Sequence, residues 1–176
     1  IASNAYFDVL PVLILNQKED FPFHGRNRRP PKDAVNAMLS FAYTLIANDA
    51  SAALETVGLD PYIGFLHTLR PGRTSLALDI MEEFRAYLGD RFVLSLINKK
   101  QITAGDFQSQ GENGIVMTDK GKKTFITAWQ TRKRETITHP YLNEKIEIGL
   151  LPYVQAMLLA RYIRQDIDDY PVFLIK

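Results

Sequence analysis

Residues 74–88 read TSLALDIMEEFRAYL. Helical residues advance by about 100° each, so the segment from Leu76 to Leu88 projects onto a wheel. Leu76, Ala77, Ile80, Met81, Phe84, Tyr87 and Leu88 fall within an arc of about 140°, and Asp79, Glu82 and Glu83 fall within about 100° on the opposite side. The apolar arc predicts a long helix, beginning near Thr74, that lies on a core. The polar arc puts the acids on one face, where spacings of three and four residues bring carboxylates together. Like charges at that range repel unless a cation, an arginine or solvent stands among them. A solvated acidic face is one reading. A cation-binding face is the other.

Upstream, the run GFLH ends at His67, a dozen residues before Asp79 and across the Pro71-Gly72 turn. That spacing lets an imidazole and the acids converge where a strand-like segment meets the helix. A histidine closing an apolar run is also at home packed or hydrogen-bonded in a core. Read as ligands, an imidazole and carboxylates without thiolate suit Mn2+ or Mg2+. Phosphodiester chemistry is the natural use of such an ion, which neutralises charge on a phosphate oxygen and activates a water or 3′ hydroxyl. A phosphate-bearing substrate needs basic side chains on its approach. Arg26, Arg28, Arg29 and Lys32 supply one cluster in FPFHGRNRRPPK, residues 21–32, and Arg70 and Arg73 stand between His67 and the acidic helix. Guanidinium forks there can hold backbone phosphates, or the clusters can be solvated loops.

The rest of the chain reads as helices joined by short irregular segments. Apolar spacing predicts a helix from about Ser3 to Leu15, kinked or broken at Pro11. A second helix enters after Pro31 and carries Val35, Met38, Leu39, Ala42, Leu45 and Ile46. A further short one runs through Ala52, Ala53 and Val57 to a stop at Gly58. Gly114–Thr118 reads as half of a small hairpin, helices resume after Lys120, and the last strong helix covers about Glu144 to Asp166 with Pro152 inside it.

Composition narrows the chemistry. With 176 residues and 46% hydrophobic content the chain is expected to form one globular domain. It has no cysteine, which removes disulfides and thiolate chemistry, and its three histidines leave few imidazole ligands. With 21 basic against 20 acidic residues, overall charge does not announce a nucleic-acid partner. No apolar run reaches the roughly 18 residues of a membrane span, and no secretory leader opens the chain, so a cytoplasmic location and no membrane partner are expected. The opening ASNAYFDVLPVLIL reads as the middle of a helix, which suggests a piece of a longer protein.

The string GLDPYIGFLHTLRPGRTSLALDIMEEFR, residues 58–85, resembles the signature of the CRISPR-associated integrase or "Cas one" family, whose members share GxxPxxGFxH followed by SLxxDxxE. VNAMLSFAYTLI, residues 35–46, is similar to the helix leading into that motif. FPFHGRNRRPPKD and the C-terminal YPVFLIK resemble the branch found with subtype I-C systems. The resemblance implies a mainly α fold: a single C-terminal helical catalytic domain over 1–176 with at most a small β-hairpin, cut from an N-terminal β-rich domain. It implies a metal-dependent DNA endonuclease and integrase, in which a DNA 3′ hydroxyl attacks a phosphodiester of the CRISPR repeat to insert a spacer. The partners it implies are double-stranded DNA with 3′ overhangs, a second copy in a homodimer and the small "Cas two" protein. In the family one Mn2+ or Mg2+ is bound by a Glu, a His and a later acid. The last two map onto His67 and Glu82, with Asp79 adjacent, binding the ion or orienting a water. The first Glu belongs to a Glu-Gly pair upstream of this chain, and Asp8 is the one carboxylate in residues 1–16, so this piece alone is expected to be impaired. Two rivals stand beside this reading. One is a noncatalytic helical module that docks DNA or protein. The other is a small-molecule phosphohydrolase, which needs a closed pocket and a second His-Asp pair, whereas His24 and His139 sit in loop contexts.

Overall fold

The computed structural model describes residues 2–175. It is mainly helical, as expected. In chain order the helices are α1 (Ala2–Val9), α2 (Ala34–Thr56), α3 (Ser75–Phe84), α4 (Arg91–Asn98), α5 (Asp119–Lys133) and α6 (Leu151–Ile163). Strand is confined to two antiparallel hairpins, β1 (Phe107–Ser109) with β2 (Ile115–Met117) and β3 (Thr136–Thr138) with β4 (Lys145–Glu147). The first holds the strand expected at Gly114–Thr118. The second is additional: its strands carry one apolar residue each, Ile137 and Ile146, too few for a period of two to show. No helix among the described residues is long and apolar enough to cross a membrane. The chain divides into two compact units, one reaching to Ala42 and including Gly89–Trp129, the other comprising Tyr43–Leu88 and the residues from Gln130 onward.

In the first unit α1 gives way at Leu10 to a tight turn, Leu10–Leu13, with Pro11 near its start, where a missing N–H costs nothing. Asn98 fixes the following chain, its Oδ1 accepting from Leu15 N at 2.7 Å and its Nδ2 donating to Leu13 O at 2.9 Å. The start of α2 is set by Asp33, whose Oδ1 accepts from Asn36 N at 2.7 Å, an N-cap one helical turn in. Its first turns bury Val35, Met38, Leu39 and Ala42. An edge-to-face aromatic cluster joins Phe41, Phe125, Phe92 and Trp129, with centroids 5.1 to 5.2 Å apart. Gly114, at φ 80°, lies against the loop of residues 26–32; a Cβ there would collide with Pro31 O. Ile115 N donates to that same carbonyl at 2.8 Å. The basic loop is thus seated on the first hairpin.

In the second unit α2 continues without interruption to Thr56, so the two helices read from the sequence are one. It ends as expected at Gly58, φ 81°, with Leu59 N donating to Leu54 O at 2.9 Å and Gly58 N to Glu55 O at 3.1 Å. That pair of bonds satisfies the last carbonyls and needs a left-handed residue at position 58. α3 begins at Ser75, and beyond Phe84 the helical path widens into a π turn, Arg85–Asp90. α6 starts seven residues later than the periodicity suggested, because Lys145–Glu147 belongs to β4, and Pro152 falls in its first turn. α3 packs on α6. Phe173, 3% exposed, closes the core beside Phe84 at 5.2 Å and Tyr87 at 6.1 Å between centroids.

Candidate metal and nucleic-acid site

Asp79 is the acid the helical wheel misplaced. It is 2% exposed, because the loop of residues 64–67 wraps over it. Its Oδ2 accepts from Phe65 N at 2.7 Å and Leu66 N at 3.0 Å, and its Oδ1 from His67 N at 2.9 Å. The His67 ring closes the set, Nδ1 lying 2.6 Å from Oδ1. Gly64 permits this approach: a Cβ there would stand 2.7 Å from Asp79 Oδ2 and 2.8 Å from Ser75 Cβ. Burial pushes the Asp79 carboxyl up, but the bonds from Leu66, the His67 ring, Phe65 and His67 N together hold it below its ordinary value. With Nδ1 turned to Asp79, Nε2 is the ring nitrogen left facing away from the carboxylate, and the side chain is 24% exposed. A carboxylate that fixes the tautomer and plane of an imidazole is the usual support of a metal-binding histidine.

The other two acids are held separately. Glu82 is exposed, and Nη1 of Arg85 donates to its Oε1 at 2.9 Å and Oε2 at 2.7 Å. The Arg85 guanidinium lies over the Tyr43 ring, 4.6 Å from its centroid. Glu83 turns the other way. Its Oε1 accepts from Tyr170 Oη at 2.5 Å, and its Oε2 from Gln155 Nε2 at 2.7 Å and Phe173 N at 2.8 Å, which binds the last turn of α3 to the C-terminal segment. Burial pushes the Glu83 carboxyl above its ordinary value in spite of those bonds. A raised carboxyl favours folding below its ordinary value and loses that contribution as pH rises through the folded one, so keeping a carboxyl at position 83 is a cost at neutral pH. E83Q is therefore expected to change stability at pH 7 by under ~1 kcal/mol, whereas E83A, which strips three donors of their acceptor, is expected to lose about 2–4 kcal/mol in urea denaturation. An E83A protein as stable as the parent would refute this.

The shared acidic cluster expected from the wheel is thus replaced by three separately satisfied carboxylates. Among the described residues no three His, Asp or Glu side chains stand close enough to hold a metal ion. The donors that remain nevertheless fit Mn2+ or Mg2+ in kind. They are one imidazole turned by Asp79, and the exposed carboxylate of Glu82, about one helical turn beyond Asp79 on α3.

The basic residues divide likewise. Arg26 is half-buried and occupied within its own unit: it donates to Asn36 Oδ1 at 2.7 Å, to Ser40 Oγ at 2.9 Å and to Asn27 O. Arg28, Arg29 and Lys32 are exposed on that loop. In the second unit Arg70 is exposed and Arg73 half-buried, joined by a turn in which Arg73 N donates to Arg70 O at 3.0 Å. The apolar run before them forms no strand: Phe65, Leu66 and Leu69 are 60 to 70% exposed. His24 is exposed, while His139 is fully buried. Its Nε2 meets Gln155 Oε1 at 3.1 Å and its Nδ1 accepts from Tyr141 N and Leu142 N, so it makes no second His-Asp pair. Arg85 and Tyr43 are the neighbours of the site that sequence reasoning missed. The i, i+3 spacing of Glu82 and Arg85 was the available signal.

The family model described as CRISPR associated protein Cas1 matches residues 1–131. A CRISPR-associated endonuclease Cas1 of Chlorobaculum tepidum is 57% identical over 173 residues, 98% of this chain and 50% of that protein. One of Leptospira interrogans is 50% identical over 175 residues, covering 99% of this chain and 68% of that protein. The solved structure of a Cas1 protein from Thermotoga maritima superimposes with a TM-score of 0.81 at 30% identity, over 93% of this chain and 50% of that one. A casposase bound to integration product shares the fold, with a TM-score of 0.84 at 23% identity. The chain spans about half the length of the Chlorobaculum and Thermotoga proteins.

Proposed function

Because this chain belongs to the Cas1 family of CRISPR-associated endonucleases, we propose that it is the helical C-terminal part of a metal-dependent DNA endonuclease and integrase that inserts spacers into a CRISPR array. The observation that supports this reading best is the buried Asp79 carboxylate turning the His67 ring at 2.6 Å. A solvated histidine on a docking surface needs no such support. In this reading His67 and Glu82 would hold Mn2+ or Mg2+, and Asp79 would keep the His67 ring in place. The third ligand is the Glu of a Glu-Gly pair outside these residues. A bound ion would supply charge stabilisation at the attacked phosphate and favour the 3′ hydroxyl as nucleophile. Arg70 and Arg73 hold the backbone near that point, and Arg28, Arg29 and Lys32 hold it elsewhere, while Arg26 serves its own loop. The substrate is double-stranded DNA with 3′ overhangs, the protein works in the cytoplasm, and its partners are a second copy and the small Cas2 protein.

Integration of a 3′-overhang duplex into a repeat-bearing plasmid tests this, using protein that includes the upstream half this reading expects. Integration in Mn2+ that EDTA abolishes is expected; integration that survives EDTA would overturn the reading. This chain alone is expected to show little or none. Reversing charge in R28E/R29E is expected to weaken DNA binding about tenfold or more at 0.1 M salt. It should also flatten the dependence of log Kd on log salt by about one per contact removed. An unchanged slope would remove that loop from the DNA surface.

A further inference from the structure

We infer that Arg85 is a positioning residue for the Glu82 carboxylate, with Tyr43 as the platform on which it rests. The inference depends on the reading of Glu82 as a metal donor.

An i, i+3 pair on a helix surface is ordinarily two solvated side chains that sample many rotamers. This pair is built differently on its two sides. The Arg85 side chain is 17% exposed against 36% for Glu82, and its guanidinium lies 4.6 Å over the ring of Tyr43, which is itself 7% exposed. An arginine laid on a buried aromatic face cannot follow its partner about; the partner must come to it. Both oxygens of Glu82 do, at 2.9 and 2.7 Å from the one nitrogen Nη1. The backbone beneath is equally fixed, since Phe84 is fully buried, Glu83 is bound to Phe173 N, and the π turn opens at Arg85. Glu82 therefore retains little freedom except at its own rotamers, and Arg85 selects among them. A carboxylate has about four lone-pair sites, so one face of Glu82 stays available to a cation while the other is held. Glu82 and His67 are then arranged alike, each potential donor having an anchored partner behind it: Arg85 on Tyr43, and Asp79 under its loop.

Mn2+ titration followed by electron paramagnetic resonance tests this on the protein that includes the upstream half, without DNA. R85M, matched for length and lacking the fork, is expected to bind Mn2+ about 10-fold more weakly, with the circular dichroism of the folded protein retained. R85K, which keeps charge and stem, is expected to recover part of the affinity. If H67A and E82Q weaken binding but R85M does not, or R85M binds more tightly, the positioning role is overturned while the metal reading stands. If neither H67A nor E82Q alters Mn2+ binding, the metal reading fails and this inference with it. Should R85M prove unfolded, R85K decides alone: weaker binding by about 3-fold supports the role, and parental affinity refutes it.

Discussion

Replacing Asp79 by alanine is expected to cost about 3–5 kcal/mol of folding stability and to release the loop of residues 64–67. Its carboxylate accepts from three backbone amides and from one ring nitrogen. A buried donor deprived of its acceptor costs about 1–3 kcal/mol, so the simple sum would be larger. The loop limits the loss, because Phe65 and Leu66 are 60% and 70% exposed and the segment can peel into water to recover its bonds. Chemical denaturation should record the loss, and hydrogen exchange at the amides of Phe65, Leu66 and His67 should accelerate toward the unprotected rate. D79N keeps the shape but sets an NH2 group against amide hydrogens, and is expected to lose about half as much. The same bonds predict acid sensitivity. A carboxyl held below its ordinary value contributes fully above that value, 3.8, and progressively less as pH falls through the lower folded one. D79A should lack that share of the parent's acid dependence. Slow exchange at all three amides in D79A would contradict the wrapped-loop account.

On the proposed reading, and in protein that includes the N-terminal half, replacing His67 by alanine is expected to lower Mn2+-dependent cleavage and integration by at least ~100-fold, because removing a ligand exceeds the 10–100-fold cost of removing the group behind one. Stability should fall by no more than ~1 kcal/mol, since the ring is partly exposed and the three backbone amides keep their bonds to Asp79. That contrast separates chemistry from architecture: H67A folds and fails, whereas D79A fails in both respects. Steady-state integration measured beside chemical denaturation checks it. Undiminished activity in H67A would favour a noncatalytic docking module.

How far the sequence revealed these features can be judged residue by residue. The apolar arc from Leu76 to Phe84 gave the helix and its buried face, since burial on a helix follows a 3.6-residue period. The stop at Gly58 was legible because only a left-handed residue closes that turn. A wheel sees the helix alone and so sets Asp79 opposite the core; the loop that covers it is brought there by tertiary structure. Glu83 shows the same blindness from the other direction, its partners Gln155, Tyr170 and Phe173 lying more than seventy residues away. Arg26 looked like its neighbours Arg28 and Arg29 because composition cannot tell which arginine finds Asn36 and Ser40. The resemblance to the Cas one family names His67, Asp79 and Glu82 together, but the three loop amides and the ring nitrogen that Asp79 meets lie beyond what a motif can show.

The double duty of Asp79 bears on how genetic data for this family should be interpreted. A selection for spacer acquisition would score loss of function at position 79 as strongly as at 67, and a reader of phenotypes would count both as cation contacts. On the proposed reading one defect would arise from collapse of a scaffold and the other from missing chemistry, and a stability measurement on each allele tells them apart.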